Sequence, residues 1–311
     1  MNEEAESHIP VLCDSVLELL KFPPDAIVVD VTVGHGGHAL ALAGRLNRSG
    51  KLIGLDVDVE SLAVDRGKLL NVACQVELIR GNFGQLDVEL QEREISSVDV
   101  ILADLGTSAS QLSAPERGFS FGLDGPLDMR LDDRLSRTAA DLVNSLPEKE
   151  LADLIWSYSQ ERHSRRIARK IAEVRRERPI KSTFELVEII RLAVRVRSGK
   201  GRLRIHPATR TFQALRIAVN DELDQLKRLL ELAPKLLKAN GQIAVISFHS
   251  LEDGMVKWNF RANRSDGIYE ILTAKPVVAD REERDRNPRS RSAKLRVARR
   301  TENIFLQDQQ D

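Results

Sequence analysis

A short apolar run that ends in a carboxylate occurs three times near the start of the chain, and this repeated pattern constrains the fold most strongly. The runs are residues 26–30, 51–56 and 98–104. Helical stretches at 38–46 and 60–70 and a further strand at 76–80 lie between them. Strands that alternate with crossover helices predict a parallel, doubly wound α/β sheet. Because ligands bind outside the carboxyl ends of such strands, we expect Asp30, Asp56 and Asp104 to border a binding site.

The pattern changes in the middle of the chain, where helical periodicity replaces the alternation. Three stretches there space their apolar residues like helices, at 148–158, 160–176 and 183–196. Strand signals return at 241–248, 269–273 and 293–297. We therefore predict an α/β domain in two parts, with a helical insert between them. The predicted segments are residues 1–107, the insert 108–211, and residues 212–311.

Composition and cysteine usage restrict the protein class. Hydrophobic residues make up 42% and charged residues 30% of the chain, which is typical of a soluble globular protein. No apolar run reaches the roughly 18 residues that a membrane span needs. Residues 1–6 are acidic and lack the apolar segment of a signal peptide. Cys13 and Cys74 lie far apart, which disfavours a disulfide framework or a cysteine zinc site. We expect a cytoplasmic protein without a membrane partner.

Positive charge is unevenly distributed, although Lys+Arg (47) and Asp+Glu (47) cancel over the whole chain. Cations crowd three segments, at residues 162–178, 191–204 and 289–300. Such segments fit an anionic partner such as nucleic acid. The alternative is that each segment is a solvated helix face.

A glycine loop follows the first strand. Residues 34–39 satisfy the G-x-G-x-x-G/A pattern, and Asp56 lies about twenty residues further on, as in dinucleotide sites. This pattern alone does not separate NAD from S-adenosylmethionine. The three residues between Asp30 and Gly34, and the D-x-x-x-G-x-G arrangement, favour S-adenosylmethionine. A tight turn without a ligand is the alternative.

Two further residues are candidates for the cofactor. Asp56 is placed to accept hydrogen bonds from both ribose hydroxyls, or instead to cap the helix beginning near Val59. Phe83 follows the third strand, where it stacks on an adenine ring or packs in the core.

The loop at residues 104–112 leaves the fourth strand with a carboxylate and an amide, Asp104 and Gln111. DNA-type amino-methyltransferases place two prolines and an aromatic residue after this position, and here all three are missing. With this loop, the chain resembles the bacterial 16S ribosomal RNA cytosine-N4 methyltransferase family in a series of collinear motifs. They lie at residues 32–38, 104–108, 117–121, 124–130, 206–217, 247–253 and 287–292.

The resemblance implies a Rossmann-like class I methyltransferase sheet with an inserted all-helical domain for RNA recognition. It implies S-adenosylmethionine as the methyl donor, and N4 of a cytidine in the small-subunit decoding centre as the acceptor. The partner would be 16S ribosomal RNA or the small subunit. The family's cofactor contacts correspond to Gly36, Gly37, His38, Asp56, Phe83, Asp104 and Gln111. Val31 and Val33 depart from the commoner Gly and Phe, Ala109 replaces a usual Ser, and the stretch from 253 to 287 is short.

The chemistry suggests roles for individual residues. A cytosine amino group is a poor nucleophile, so an acceptor for its protons favours attack on the methyl carbon. We assign this role to Asp104; the alternative is that Asp104 only positions the cofactor.

The base must also leave its stack, and Phe119 or Phe121 is its candidate partner unless they are buried anchors. The candidate phosphate contacts are Arg165, Arg169, Lys200, Arg202 and Arg204. His206 and His249 have no companions at zinc spacing, so we predict no metal and take both as structural or RNA-facing.

Two other functions stay open on the sequence alone. A small-molecule methyltransferase would use the same glycine loop but would not need three cationic segments. A non-catalytic RNA-binding or assembly factor would keep the cations but need not keep the glycine loop, Asp56 and Asp104.

Overall fold

The computed structural model describes residues 10–194 and 206–302. They form two compact units: unit 1 takes the described residues of Met1–Gly106 and Leu223–Asp311, and unit 2 those of Thr107–Glu222. The predicted insert, 108–211, starts next to the first of these boundaries. Its predicted end falls inside a helix, Thr209–Asn220, which the division assigns to unit 2. That helix packs on other helices of unit 2, and so the unit extends beyond residue 211.

Unit 1 contains a seven-stranded sheet. Its strands are β1 Ile27–Asp30, β2 Lys51–Asp56, β3 Gln75–Arg80, β4 Val98–Asp104, β5 Leu237–Ser247, β6 Tyr269–Ile271 and β7 Lys294–Arg300. They are ordered β3-β2-β1-β4-β5-β7-β6. The pairs among β1 to β5 are parallel, and β7 runs antiparallel to β5 and β6. This mostly parallel, doubly wound sheet confirms the predicted Rossmann-like α/β fold.

The helices follow the same order along the chain. They are α1 Cys13–Leu19, α2 Gly37–Ala43, α3 Val59–Leu69, α4 Leu86–Gln91, α5 Ala109–Ser113, α6 Ala139–Ser145, α7 Glu148–Ser159, α8 Ser164–Arg175, α9 Thr183–Val194, α10 Thr209–Asn220, α11 Glu222–Leu236, α12 Ser250–Ser265 and α13 Arg281–Arg286. Unit 2 contains α5 to α10. Apart from Glu222, the first residue of α11, the remaining helices belong to unit 1.

The sheet of unit 1 is buried on both faces. Val28 and Val29 of β1 are both fully buried, yet they belong to different hydrophobic clusters on opposite sides of the sheet. Leu42 of α2 packs in the first cluster, and Leu229 of α11 in the second. Because helices cover both faces, the strands read as continuous apolar runs rather than alternating ones.

Unit 2 has a core of its own, built between amphipathic helices. On α8 the buried residues are Ser164, Ile167, Ala168, Ile171 and Ala172, a spacing that places them on one helical face. The N-terminus of α6 is held by a capping box in which Thr138 and Asp141 bond each other's backbone N–H groups. Each large aliphatic side chain in this core contributes about 1.5 to 3 kcal/mol by leaving water.

No helix in the described parts of the chain combines the length and the apolar character that a membrane crossing requires. Both cysteines are free. Burial raises the pKa of the Cys13 thiol to about 11, so this thiol stays protonated at neutral pH.

Candidate active site

The glycine loop between β1 and α2 is shaped by backbone conformations that favour glycine. Gly34 and Gly36 have φ angles of +55° and +70°, in the left-handed region that side chains disfavour. Gly36 caps α2, and its N–H donates to the Val33 carbonyl at 2.8 Å. Gly37 has a different constraint, because a Cβ there would lie 3.1 Å from the ring of Pro10. Glycine is therefore required in this loop by backbone conformation at Gly34 and Gly36 and by close packing at Gly37.

Thr32 ties this loop to the end of β4. The Asp104 N–H donates to the Thr32 hydroxyl at 2.6 Å, and the Thr32 N–H donates to Asp30 Oδ1 at 3.1 Å. A glycine at position 32 could not make the first of these bonds. His38, at the start of α2, is buried and lies with Nε2 3.7 Å from Asp104 Oδ2. The structure thus brings His38 and Asp104 together, as the predicted site requires.

Three carboxyl groups at the strand ends are withdrawn from water. Burial raises the pKa of Asp104 to about 8, with a further rise from Asp30. Burial likewise raises the pKa of Asp30 to about 7 and that of Asp56 to about 6. Asp30 Oδ2 and Asp104 Oδ1 have no hydrogen-bond partner among the described residues. Buried oxygen acceptors that lack a hydrogen-bond partner favour a ligand that brings positive charge or hydrogen-bond donors.

Arg289 is a residue of this site that sequence reasoning did not single out. It is half-buried in the turn Pro288–Ser292 that precedes β7, and its guanidinium lowers the pKa of Asp104. Glu252 of α12 acts in the opposite direction. The motif at residues 287–292 was the available signal, but neither the resemblance nor the cationic segment assigned Arg289 a role of its own.

Asp56 lies at the end of β2 and bonds the glycine loop. Its Oδ2 accepts from the Gly34 N–H at 2.8 Å, and its Oδ1 from the Asp58 N–H at 2.9 Å. The alternative that Asp56 caps the next helix is wrong, because Asp58 is the N-cap of α3 and accepts from the Glu60 N–H. A backbone hydrogen bond from Val57 also reaches the Asp56 carboxyl group. A role of Asp56 in ribose binding stays a prediction.

Phe83 begins a short 3₁₀ turn after β3, and its half-buried ring packs at the edge of the unit 1 core. Its contact with adenine stays a prediction.

Gln111 belongs to unit 2 and is 6% exposed. Its side-chain oxygen accepts from the Ser108 N–H at 2.9 Å in a capping box at the start of α5. This bond holds the amide in place, and a cofactor contact by Gln111 stays a prediction.

The two candidate stacking residues differ in their surroundings. Phe119 is 6% exposed and lies in the unit 2 core, which favours its alternative role as an anchor. Phe121 is half-buried, and its ring stacks on His206 with centroids 4.7 Å apart. It also meets Phe212 edge-on at 5.8 Å. Phe121 is therefore the better candidate to meet an extruded base.

The three cationic segments have different outcomes. On α8, Arg165, Arg166 and Arg169 are exposed, opposite the buried face. Lys200, Arg202 and Arg204 of the second segment lie outside the described residues. In the third segment Lys294 and Arg296 are paired with Asp253, at 3.1 and 2.7 Å, so these two cations stabilise unit 1.

His206 and His249, which the sequence analysis did not assign to a metal site, both accept backbone hydrogen bonds. His249 is the N-cap of α12: its Nδ1 accepts from the Glu252 N–H, and Glu252 Oε2 accepts from the His249 N–H. His206 Nδ1 accepts from the Ala208 N–H at 3.2 Å. The absence of a metal stays a prediction.

The matches to known proteins extend over almost the whole chain. The model of a family described as the MraW methylase family matches residues 5–301. Several relatives carry the name ribosomal RNA small subunit methyltransferase H. The protein of that name from Syntrophobacter fumaroxidans is 46% identical over 308 residues, which cover 94% of this chain and 96% of the relative. The one from Koribacter versatilis is 46% identical over 304 residues, covering 96% and 95%. The one from Heliobacterium mobile is 45% identical over 312 residues, covering 94% and 98%.

Proposed function

The chain belongs to the MraW methylase family, and from this premise we propose that it methylates N4 of a cytidine in 16S ribosomal RNA, in the small-subunit decoding centre, with S-adenosylmethionine as donor. The observation that carries the proposal is the set of buried carboxyl groups at the ends of β1, β2 and β4, beside a glycine loop. The name of the relatives supplies the substrate class, the RNA of the small ribosomal subunit. We assign this activity to the cytoplasm, where ribosomal subunits are found.

The residues present suit this cofactor. Its sulfonium and amino groups are cationic, and Asp30 and Asp104 offer buried oxygens without partners among the described residues. Its ribose carries two hydroxyl donors, for which the Asp56 carboxyl group is the proposed acceptor. The residues that would hold it are Gly36, Gly37, His38, Asp56, Phe83, Asp104 and Gln111. The cofactor supplies an electrophilic methyl group, and the chain must orient the amine that attacks it.

Asp104 is the proposed acceptor for the protons of the target amine. An ionised carboxylate there accepts a hydrogen bond from the amino group and favours the pyramidal nitrogen that in-line attack requires. Burial opposes ionisation, whereas Arg289 favours it. The second possible role of Asp104, positioning the cofactor, uses the same oxygens. Separate measurements of cofactor affinity and turnover distinguish the two roles.

Unit 2 is the proposed RNA-recognition unit. Arg165 and Arg169 are one helical turn apart on the exposed side of α8, where phosphates can reach them. Phe121 is the proposed stacking partner of the extruded base, in preference to the buried Phe119. We extend the phosphate-binding surface to Lys200, Arg202 and Arg204. Their joint replacement by Ala should weaken RNA binding and its salt dependence while leaving cofactor affinity unchanged.

Mapping of modified nucleotides tests the function in cells. Ribosomal RNA from cells with and without this protein is digested, and the nucleosides are identified by mass spectrometry. We expect one N4-methylated cytidine of 16S RNA to disappear with the protein and to return when it is restored. An unchanged modification map would refute the proposed reaction. Cofactor binding by calorimetry separates an enzyme from a non-catalytic assembly factor.

A further inference from the structure

Helix α12 of unit 1 carries a strongly exposed tryptophan. The side chain of Trp258 is 64% exposed, whereas Val256 and Phe260 on the other side of the helix are buried in the core. Two cations lie against the exposed ring. The Lys257 amino group is 5.1 Å and the Arg261 guanidinium 5.4 Å from the ring centroid. Core packing explains the buried face of α12, but it gives no reason for a large aromatic ring in water.

The surroundings of the ring are cationic. Lys257, Arg261 and Arg264 lie at positions i, i+4 and i+7, so they follow one flank of the helix. None of the three forms an ion pair within residues 10–194 and 206–302. We call Trp258 with these three cations the α12 patch. It lies outside the three cationic segments of the sequence.

We propose that the α12 patch binds an unpaired nucleotide of the RNA substrate, with the base stacked on Trp258 and the neighbouring phosphates held by the cations. The inference rests on the proposed function, because it adds a contact to the same RNA. Every base has a π-face, so stacking on an exposed indole needs no particular sequence. A cation that lies against the ring in the free protein can turn to a phosphate when a base takes its place.

The composition of the patch favours RNA over a protein partner. Aromatic hot spots of protein interfaces are surrounded by contacts that exclude water. Around Trp258 the flanking groups are instead the charged ends of Lys257 and Arg261. Three cations that have no carboxylate partner among the described side chains match a chain of phosphates.

Fluorescence provides a direct test, because the chain has only two tryptophans, Trp156 and Trp258. In the Trp156→Phe variant, Trp258 is the single reporter. Titration with a single-stranded octacytidylate should quench its emission, since a stacked base lies in contact with the indole. Quenching should weaken with salt. The matched control is the Trp258→Phe variant, in which Trp156 reports from α7 of unit 2. Its emission should not show the quenching that is expected of Trp258.

Affinity measurements complete the test. Trp258→Ala should weaken octacytidylate binding about 10-fold, within the range known for single stacked bases. The double variant Lys257→Ala/Arg261→Ala should reduce the salt dependence by a slope of about 1 to 2. Because Trp258 is exposed, the Trp258→Ala variant should melt at the same temperature as the wild type.

Three results would overturn the inference. The first is no quenching of Trp258 by octacytidylate. The second is equal quenching by inorganic polyphosphate, which has no base to stack. The third is weaker binding of Trp258→Ala to whole small subunits with unchanged binding to RNA, which would indicate a protein partner. If the wild-type protein does not methylate RNA, the proposed function is overturned instead. Failure of the α12 patch and failure of the proposed function are thereby distinguished.

Discussion

The two units of this protein carry charge in opposite ways. In unit 1, Asp30, Asp56 and Asp104 are withdrawn from water at the ends of parallel strands, and burial raises the pKa of each. In unit 2, Arg165 and Arg169 stand in solvent on one side of α8, opposite the face that forms the core. The strand ends of unit 1 place carboxyl groups where ionisation is costly, whereas α8 of unit 2 presents cations where their solvation costs little.

This difference indicates two kinds of ligand recognition. Buried charges interact strongly at short range and are little affected by salt, so they suit one small ligand held in a defined geometry. Exposed cations are screened and tolerate many arrangements of phosphate, as a large anionic partner requires. Variants of the strand-end carboxyl groups and variants of the α8 arginines should therefore separate cofactor binding and turnover from RNA binding.

The largest effect is expected from Asp104→Ala. It removes the proposed acceptor, so methyl transfer should fall about 100-fold or more, the usual cost of losing one preorganised group at a reacting centre. Turnover and cofactor Kd are measured together. A collapse of turnover at constant Kd assigns Asp104 to the target amine, and a parallel loss assigns it to the cofactor. Near-normal turnover in a folded variant would contradict both roles.

A smaller effect is expected from Asp56→Ala. Loss of hydrogen bonds to a charged group should weaken S-adenosylmethionine binding by about 1 to 3 kcal/mol, measured by calorimetry. RNA affinity and its salt dependence should not change. Asp25→Ala, which removes an exposed carboxylate of unit 1, is the control and should bind the cofactor like the wild type. Equal affinities in all three proteins would exclude Asp56 from the site.

The reciprocal variant tests unit 2. Arg165→Ala/Arg169→Ala should weaken RNA binding and lower the slope of log K against log salt by about 1.5 to 2. Cofactor affinity should stay at its wild-type value. Arg165→Lys/Arg169→Lys retains the charge and should keep most of the slope. If the alanine variant binds RNA like the wild type across a salt titration, these arginines form only a solvated helix face.

The pH dependence of turnover should show the smallest shift. Asp104 has a pKa of about 8, and its ionised form is the proposed acceptor, so the activity should rise with pH through this region. Arg289 lowers that pKa, so Arg289→Met should raise it and move the rise in activity to higher pH. Activity lost at neutral pH should return in part above pH 9. Arg291→Met changes an exposed cation of the same turn and should leave the profile in place.

Much of the fold of unit 1 could be predicted from the sequence. The predicted strands at 51–56 and 98–104 coincide with β2 and β4. This accuracy has a physical cause, since a strand buried on both faces is a continuous apolar run bounded by polar residues. The end of the insert was harder to place. Residue 211 lies within α10, and only the packing of that helix shows to which unit it belongs.

The parts of the candidate site that depend on local sequence could be predicted. Gly36 and Asp56 follow from the glycine loop and the strand ends, whereas Arg289 acts on Asp104 from a distant part of the chain. Hydrophobic periodicity contains no information about such long-range pairs. The exposure of a side chain is also difficult to predict from the sequence, because a tryptophan in an amphipathic helix is usually buried. The α12 patch and the burial of Phe119 therefore became apparent only in the folded chain.

One measurement tests the central claim most directly. Small ribosomal subunits that lack the modification are incubated with the protein and methyl-labelled S-adenosylmethionine, and the RNA is digested to nucleosides. We predict label in N4-methylcytidine, at about one methyl group per subunit, with the wild type, and a large loss of label with Asp104→Ala. Label in another nucleoside, or no transfer to RNA by a protein that binds the cofactor, would contradict the account.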